Sequence, residues 1–320
     1  MIERSGSHPY DELTPDIVLG AAESIGYATD GRLLALNSFE NRVYQLGLED
    51  RSFVIAKFYR PGRWSDAQIR EEHTFTAELA EAEIAVVGPV ARGGQTLFEH
   101  EGFRFALFPR RGGRAPELEG LEVSAWMGRM LARMHAIGAL APFRARPALS
   151  LESHVDRPAR DVLDSGLLPA PLEIRYENAI ADARAQVVMA WDATGARALR
   201  LHGDSHPGNV LWTDAGPTLV DFDDAHTGPA VQDLWMLLTG GEAQREALLE
   251  GYEQFRPFDR SELSLIEPLR LMRQIHHAGW IAARYDDPAF PRAFPFAAEP
   301  RWWEQHLADL VEGAEALDRA

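Results

Sequence analysis

His202, Asp204 and Asn209 stand together in the stretch LHGDSHPGNV. Twelve residues after Asn209, the apolar run TLV leads to Asp221 in LVDFDDA. Two carboxylates and a carboxamide at this spacing suit phosphoryl transfer. One aspartate, here Asp204, can orient an attacking hydroxyl and accept its proton. An amide oxygen and a second carboxylate, Asn209 and Asp221, can hold Mg2+, a hard ion that takes oxygen ligands. The ion would neutralise charge on the transferring phosphoryl group. Pro207 and Gly208 keep the stretch out of a regular helix. One alternative is a hydrated loop followed by an ordinary acidic turn, which the two ordered matches with a strand between them disfavour. Another reads His202, Asp204 and His206 as a zinc site; the spacing favours His202 as a structural anchor instead.

A polyphosphate also needs a cation. Lys57 ends the apolar run VIAK in a chain whose basic side chains are almost all arginine. A compact ammonium suits a narrow phosphate site better than a forked guanidinium. The bland alternative is an edge-strand lysine facing water. Glu71, Glu72 and Glu78 follow on a helix and could orient the lysine. Glu72 shares the face of Phe75 and Leu79 and is the preferred partner, with Glu71 next. The turn in LNSFENRVYQL has no glycine between Leu36 and Leu46. If it covers phosphates, Ser38, Asn41 and backbone N–H groups must do the work. Asp233 in VQDLWMLL either serves a helix N-terminus or reaches back to hold the catalytic loop, and both readings stay open.

These side chains need elements to place them. A short helix is expected near Asp16–Ser24, within an otherwise irregular N-terminal stretch of thirty residues. VYQLGL and SFVIAKFY form a hairpin through the turn EDRS. SDAQIREEHTFTAELAEA is a helix that starts with Ser65 as N-cap. Short strands with glycine turns follow as far as Pro109, and PRRGGR (109–114) marks a boundary. In VSAWMGRMLARMHAIG, Trp126, Met130, Leu131 and Met134 recur at helical spacing as a buried face. EIRYENAIADARAQVVMAW is another helix, and helices run from Pro229 to the end. His276 and His277 read as packing or surface residues, and Trp302 and Trp303 as core or capping residues, with lining of an acceptor groove as the alternative. The fold class is therefore α+β with two lobes. Residues 1–109 form a small β-rich nucleotide-binding lobe, and residues 110–320 a mostly helical catalytic lobe.

Composition narrows the function. The 320 residues are 46% hydrophobic and 25% charged, as in ordinary water-soluble proteins. No apolar run reaches the roughly 18 residues that span a bilayer. The N-terminus shows no apolar secretory segment. With no cysteine, disulfides, thiolate zinc sites and cysteine nucleophiles are excluded. A net charge of −17 argues against a nucleic-acid partner, because phosphate neutralisation needs a basic face. A nucleotide phosphate must then be met by local cations or a metal. The expectation is a cytoplasmic monomer with no membrane partner.

HGDSHPGN, LVDFDDA and DLW, with VIAKFYRPGRW upstream, resemble the aminoglycoside phosphotransferase (APH) and choline kinase superfamily of protein-kinase-like enzymes. HGD in place of HRD is the mark of that branch. NSFENRVYQL, KFYRPGRW, EEHTF, HGDSHPGNVLW and GPAVQDLWMLL resemble more closely its bacterial stress response kinases, cytoplasmic Ser/Thr protein kinases of the APH-type fold. The resemblance runs from about residue 30 to about residue 295. It implies ATP and Mg2+, with Asp204 as proton acceptor, Asn209 and Asp221 on the metal, and Lys57 on the ATP phosphates. It also implies that FALFP (105–109), with Phe105 and Leu107, is a hinge whose backbone meets adenine. Protein substrates with Ser or Thr hydroxyls, autophosphorylation and a role in surviving stress come with it. The departures are the glycine-free phosphate loop and Asp223 where a D-F-G glycine would stand. A related kinase for an aminoglycoside or amino-alcohol hydroxyl is the alternative, since an acidic cleft suits a cationic acceptor. A non-catalytic nucleotide-binding module is disfavoured because Lys57, Asp204, Asn209 and Asp221 are all present.

Overall fold

Thr14 accepts a hydrogen bond from the Ile17 N–H, and Pro15 opens the first helix of a computed structural model that describes residues 9–319. The irregular stretch expected at the N-terminus lies, for residues 1–8, outside the described residues. In chain order the first elements are α1 (Pro15–Ser24), β1 (Thr29–Ala35), β2 (Arg42–Leu48), β3 (Phe53–Phe58) and α2 (Asp66–Glu81). Next come β4 (Phe98–His100), β5 (Phe103–Pro109), α3 (Leu121–Gly138), α4 (Arg157–Asp164), α5 (Glu173–Thr194) and β6 (Ala198–Arg200). After these follow β7 (Val210–Thr213), β8 (Gly216–Leu219), β9 (Thr227–Pro229) and α6 (Val231–Leu234). The chain ends with α7 (Glu242–Glu253), α8 (Ile266–Ala282), α9 (Ala289–Ala293) and α10 (Pro300–Asp318). No helix among the described residues is long and apolar enough to cross a membrane.

The fold is α+β, as the sequence implies, with an early antiparallel sheet and a mostly helical remainder. The described residues group into two compact units. The first runs up to Pro147 and adds Arg200–His226 and Met236–Pro257. Its sheet has the order β1-β2-β3-β5-β4. The expected hairpin is β2 and β3, in which Val43 faces Lys57. On the other side of β3, Lys57 faces Ala106 of β5. The lysine strand is therefore internal to the sheet. Strand alternation divides its side chains. Val54, Ala56 and Phe58 pack with α1 residues Val18, Ala21 and Ala22. Ala106 and Tyr59 pack with Ile69 of α2 on the opposite side, which is also the side of Lys57. Ser65 and Gln68 cap α2 reciprocally, each side chain accepting the other's backbone N–H at 3.3 and 2.8 Å.

In the same unit α3 and α7 meet through their main chains. A Cβ at Gly128 would fall on the Leu248 carbonyl, and one at Gly251 on the Ala125 carbonyl. This contact corrects the expected buried face of α3. Met130, Leu131 and Met134 are buried, together with Met127, but Trp126 is 42% exposed with the Arg129 guanidinium over its ring. At about 100° per residue, Trp126 lies nearly opposite Gly128, the residue that must touch α7.

The second unit comprises Ala148–Leu199, Thr227–Trp235 and the residues from Phe258 onward. Gly279 of α8 packs directly on Pro158 of α4. Trp280 packs edge-on against both Phe290 and Phe294, and the buried Trp303 donates to the Ala297 carbonyl at 2.9 Å. Asp233 is fully buried in α6.

Candidate active site

Lys57 is 7% exposed, and its ammonium meets Asp221 at 2.9 Å and Asp223 at 3.0 Å. Burial works against the charge, but the two carboxylates outweigh it and hold the pKa well above its ordinary value. The lysine thus faces carboxylates rather than water.

Asp221 is placed by the residue before it. The Val220 N–H donates to the Asn209 carbonyl at 3.0 Å, and the Val220 carbonyl lies 2.8 Å from His202 Nε2. His202 is fully buried with its ring against Phe222, so it is a structural anchor. Asp221 itself takes a left-handed backbone conformation at φ 60°, which aspartate adopts more readily than most residues. Gly203 stands at φ 88°, and a Cβ there would fall on the Asp224 carbonyl, so the turn requires glycine.

The stretch from His202 to Asn209 closes on itself. His206 Nδ1 accepts the Gly208 N–H at 2.9 Å, which leaves the ring proton on Nε2, 3.5 Å from Asp204 Oδ2. The Asn209 amide nitrogen donates to the Asp204 carbonyl at 2.9 Å, leaving its amide oxygen for a cation. Asn209 and Asp221, joined through Val220, supply the oxygen donors that a hard divalent ion takes, so this pair fits Mg2+. The zinc alternative fails, because His202 and His206 turn to other partners. Among the described residues no three His, Asp or Glu side chains gather as a metal site.

Asp223 is the unexpected centre of the site. It is 4% exposed, and its second oxygen meets Arg63 at 2.8 Å while Arg146 donates to its carbonyl at 2.7 Å. Burial would raise its pKa, but Lys57, Arg63 and Arg146 together hold it well below the usual carboxylate range.

Glu72 does not pair with Lys57. It is 2% exposed on the expected face of α2, and its ion-pair partner is Arg146, at 3.8 Å. Asp221 and Asp223 already take the ammonium. Burial pushes Glu72 up to about 7, against the opposing charges of Lys57 and Arg146. Glu71 accepts three backbone N–H bonds, from Arg144, Ala145 and Arg146, at 2.6–2.8 Å. It therefore seats the segment that carries Arg146. Glu78 pairs with Arg200 at 2.7 Å. Beside Glu72, His73 bridges the Tyr59 hydroxyl and Thr96, each at 2.8 Å. Burial and the charges of Lys57 and Arg146 push its pKa down to about 3.

The loop at 36–41 is held without glycine. The Ser38 hydroxyl donates to the Asn41 carbonyl at 2.9 Å, and the buried Asn41 amide accepts the Arg60 N–H at 3.1 Å. The Arg60 guanidinium donates to the Glu40 carbonyl at 3.0 Å and pairs with the Glu40 carboxylate at 3.2 Å. Ser38 and Asn41 thus shape the loop from within. The stretch expected as a hinge, 105–109, is the last part of β5. Phe105 and Leu107 lie inside β5 with fully buried side chains, and the Leu107 carbonyl takes the Val90 N–H at 2.7 Å. The chain leaves the sheet only after Pro109.

Four expected residues therefore connect within one unit, as Lys57 to Asp221 directly, Asp221 to Asn209 through Val220, and Asn209 to Asp204. Asp223, Arg63 and Arg146 join them unforeseen. The paired arginines of RPGRW and the doubled acid of FDDA were available signals for the first two. Nothing near Arg146 marks it in the sequence.

The model of the phosphotransferase enzyme family, APH, matches residues 32–266. Stress response kinase A of Escherichia coli (strain K12) is 44% identical over 96% of this chain and 94% of its own length. Serine/threonine protein kinase RdoA of Salmonella typhimurium (strain LT2) is 41% identical, with the same coverage of each. Among solved structures, the amicoumacin kinase hAmiN, in complex with AMP-PNP, Ca2+ and Ami, is similar with a TM-score of 0.69 at 18% identity. That likeness covers 95% of this chain and 94% of that one. A microcompartment-associated aminopropanol kinase gives 0.67 at 19%, over 91% and 97% of the two chains.

Proposed function

The chain is a kinase that belongs to the APH phosphotransferase enzyme family, and from that premise we propose that it transfers the γ-phosphoryl group of ATP to Ser or Thr hydroxyls of proteins. The observation that carries this reading is the unbroken line of contacts from Lys57 through Asp221 and Asn209 to Asp204. The relatives' names favour protein as acceptor, one of them being called a serine/threonine protein kinase. The solved structures share the fold at low identity and do not bear on the acceptor.

In this reading Lys57 contacts the ATP phosphates. Asn209 and Asp221 would hold Mg2+, which supplies charge neutralisation on the transferring group. Asp204, oriented by His206 and Asn209, accepts the proton of the acceptor hydroxyl. The hydroxyl oxygen bonds to the γ-phosphorus as the bond to the β–γ bridging oxygen breaks, ADP leaves, and the proton remains on Asp204. Residues 1–109 serve the nucleotide and residues 110–320 the transfer. The proposal extends to autophosphorylation and stress survival, by a monomer in the cytoplasm.

The test is incubation with labelled ATP, Mg2+ and a generic protein substrate, beside aminoglycosides and choline. Label on protein supports the reading, and label only on small molecules replaces it with a small-molecule kinase. Asp204→Ala is expected to lower transfer about 10²–10⁴-fold while ATP still binds. Asp221→Ala is expected to weaken ATP–Mg2+ binding itself. Full activity in both variants would refute the assignment.

A further inference from the structure

We propose that Arg63 is a positioning residue that fixes the loop at 36–41 relative to Lys57 and the Asp221–Asp224 segment. The inference rests on the reading of this site as a nucleotide site and assigns it an anchor outside the expected motifs. Arg63 comes from the turn after the lysine strand, with its side chain 15% exposed. Its guanidinium meets three carboxylates from two separate segments. Glu40 of the loop lies at 3.6 Å and Asp223 at 2.8 Å, both on Nη1, and Asp224 meets Nη2. Asp223 in turn meets Lys57 at 3.0 Å. A line of charged contacts therefore runs from the loop through Glu40, Arg63 and Asp223 to the ammonium.

Such a line is a poor way to gain stability. Buried charges forfeit their hydration, and their mutual attraction does little more than restore it. It is a good way to fix geometry, because a planar guanidinium holds two carboxylates in set directions where an ammonium would let them swing. The loop also needs an external anchor, since a turn without glycine has little main-chain freedom with which to fit itself around a ligand. Arg60 braces the loop's carbonyls from the same turn, and Arg63 carries the connection on to Asp223.

Three measurements test the bridge. In Arg63→Gln, the amides of residues 36–41 are expected to exchange hydrogen about tenfold faster than in wild type, with those of α7 unchanged. The Kd and KM for ATP with Mg2+ are expected to rise about tenfold, with a smaller fall in kcat at saturating ATP. Arg63→Lys should restore only part of this. Glu40→Gln should reproduce the defect, and the double variant should be little worse than either alone. Wild-type exchange at 36–41 in Arg63→Gln overturns the bridge, as does a lowered melting temperature with unchanged Kd, or additive effects of the two variants. Failure of the wild-type chain to bind ATP would instead sink the nucleotide reading, and the exchange measurement, which uses no nucleotide, would still decide the bridge.

Discussion

The loop at 36–41 and the stretch at 202–209 both bend sharply beside Lys57 or Asp221, and they are held by opposite means. The second holds itself. Gly203 takes the left-handed turn, His206 caps Gly208, and Asn209 reaches back five residues to Asp204. The first has one such bond of its own, from Ser38 to the Asn41 carbonyl, and is otherwise held from outside. Its carbonyls at Phe39, Glu40 and Asn41 accept bonds from Tyr10, Arg42 and Arg60, and Glu40 pairs with Arg63. One loop carries its own bracing, and the other is shaped by side chains that other parts of the fold deliver. Substitutions in the stretch at 202–209 should therefore act locally and sharply, and those in the loop at 36–41 through several smaller contributions.

Gly203→Ala offers the severest way to break this contrast. The strained φ and the collision with the Asp224 carbonyl are expected to destabilise the protein by about 2–4 kcal/mol in urea unfolding. Displacement of Asp204 should slow transfer on the order of 100-fold. A rate within twofold of wild type would show that the stretch does not depend on its glycine.

Glu72 gives an intermediate effect, because it lies on the helix behind Lys57 and belongs to neither loop. Its ordinary pKa of 4.5 rises to about 7 on folding, so the folded chain binds this proton more tightly. Its contribution therefore falls as pH rises from about 4.5 through 7. His73 works the other way. With its pKa lowered from 6.5 to about 3, stability is gained as pH rises through that range. Glu72→Gln removes only the first trend. The variant should gain on wild type by on the order of 2 kcal/mol between pH 4.5 and pH 7.5, read from melts at each pH. A constant difference across that range would mean that Glu72 keeps its ordinary pKa.

Asn41→Ala should have the smallest effect. It leaves the Arg60 N–H without its acceptor, at a cost of about 1 kcal/mol in stability, and the remaining clamps should keep the KM for ATP within about threefold of wild type. A collapse as large as that of Gly203→Ala would show that the loop hangs on one bond after all.

The same contrast explains what the sequence could reveal. The hairpin, the capped helix α2 and the Asp204–Asn209 stretch depend on neighbours in the chain, and their residues announce them. Lys57 was legible because an ammonium in an apolar strand is conspicuous. Phe105 and Leu107 fall within β5, which becomes an internal strand only through partners that its own residues do not mark. Glu72 was placed on the correct face with the wrong partner. Its cation, Arg146, is brought in by three backbone bonds to the neighbouring Glu71, a long-range arrangement without a local pattern. Trp126 failed for a similar reason, since the orientation of α3 is set by the glycine contacts with α7 rather than by apolar spacing.

Lys57 is the only lysine among the 320 residues. Apart from the chain's own amino terminus, acylating reagents therefore meet a single aliphatic amine, and it is the one held between Asp221 and Asp223. A fixed mass increment on the peptide that contains it becomes a direct count of how often those carboxylates let go, without any engineered label.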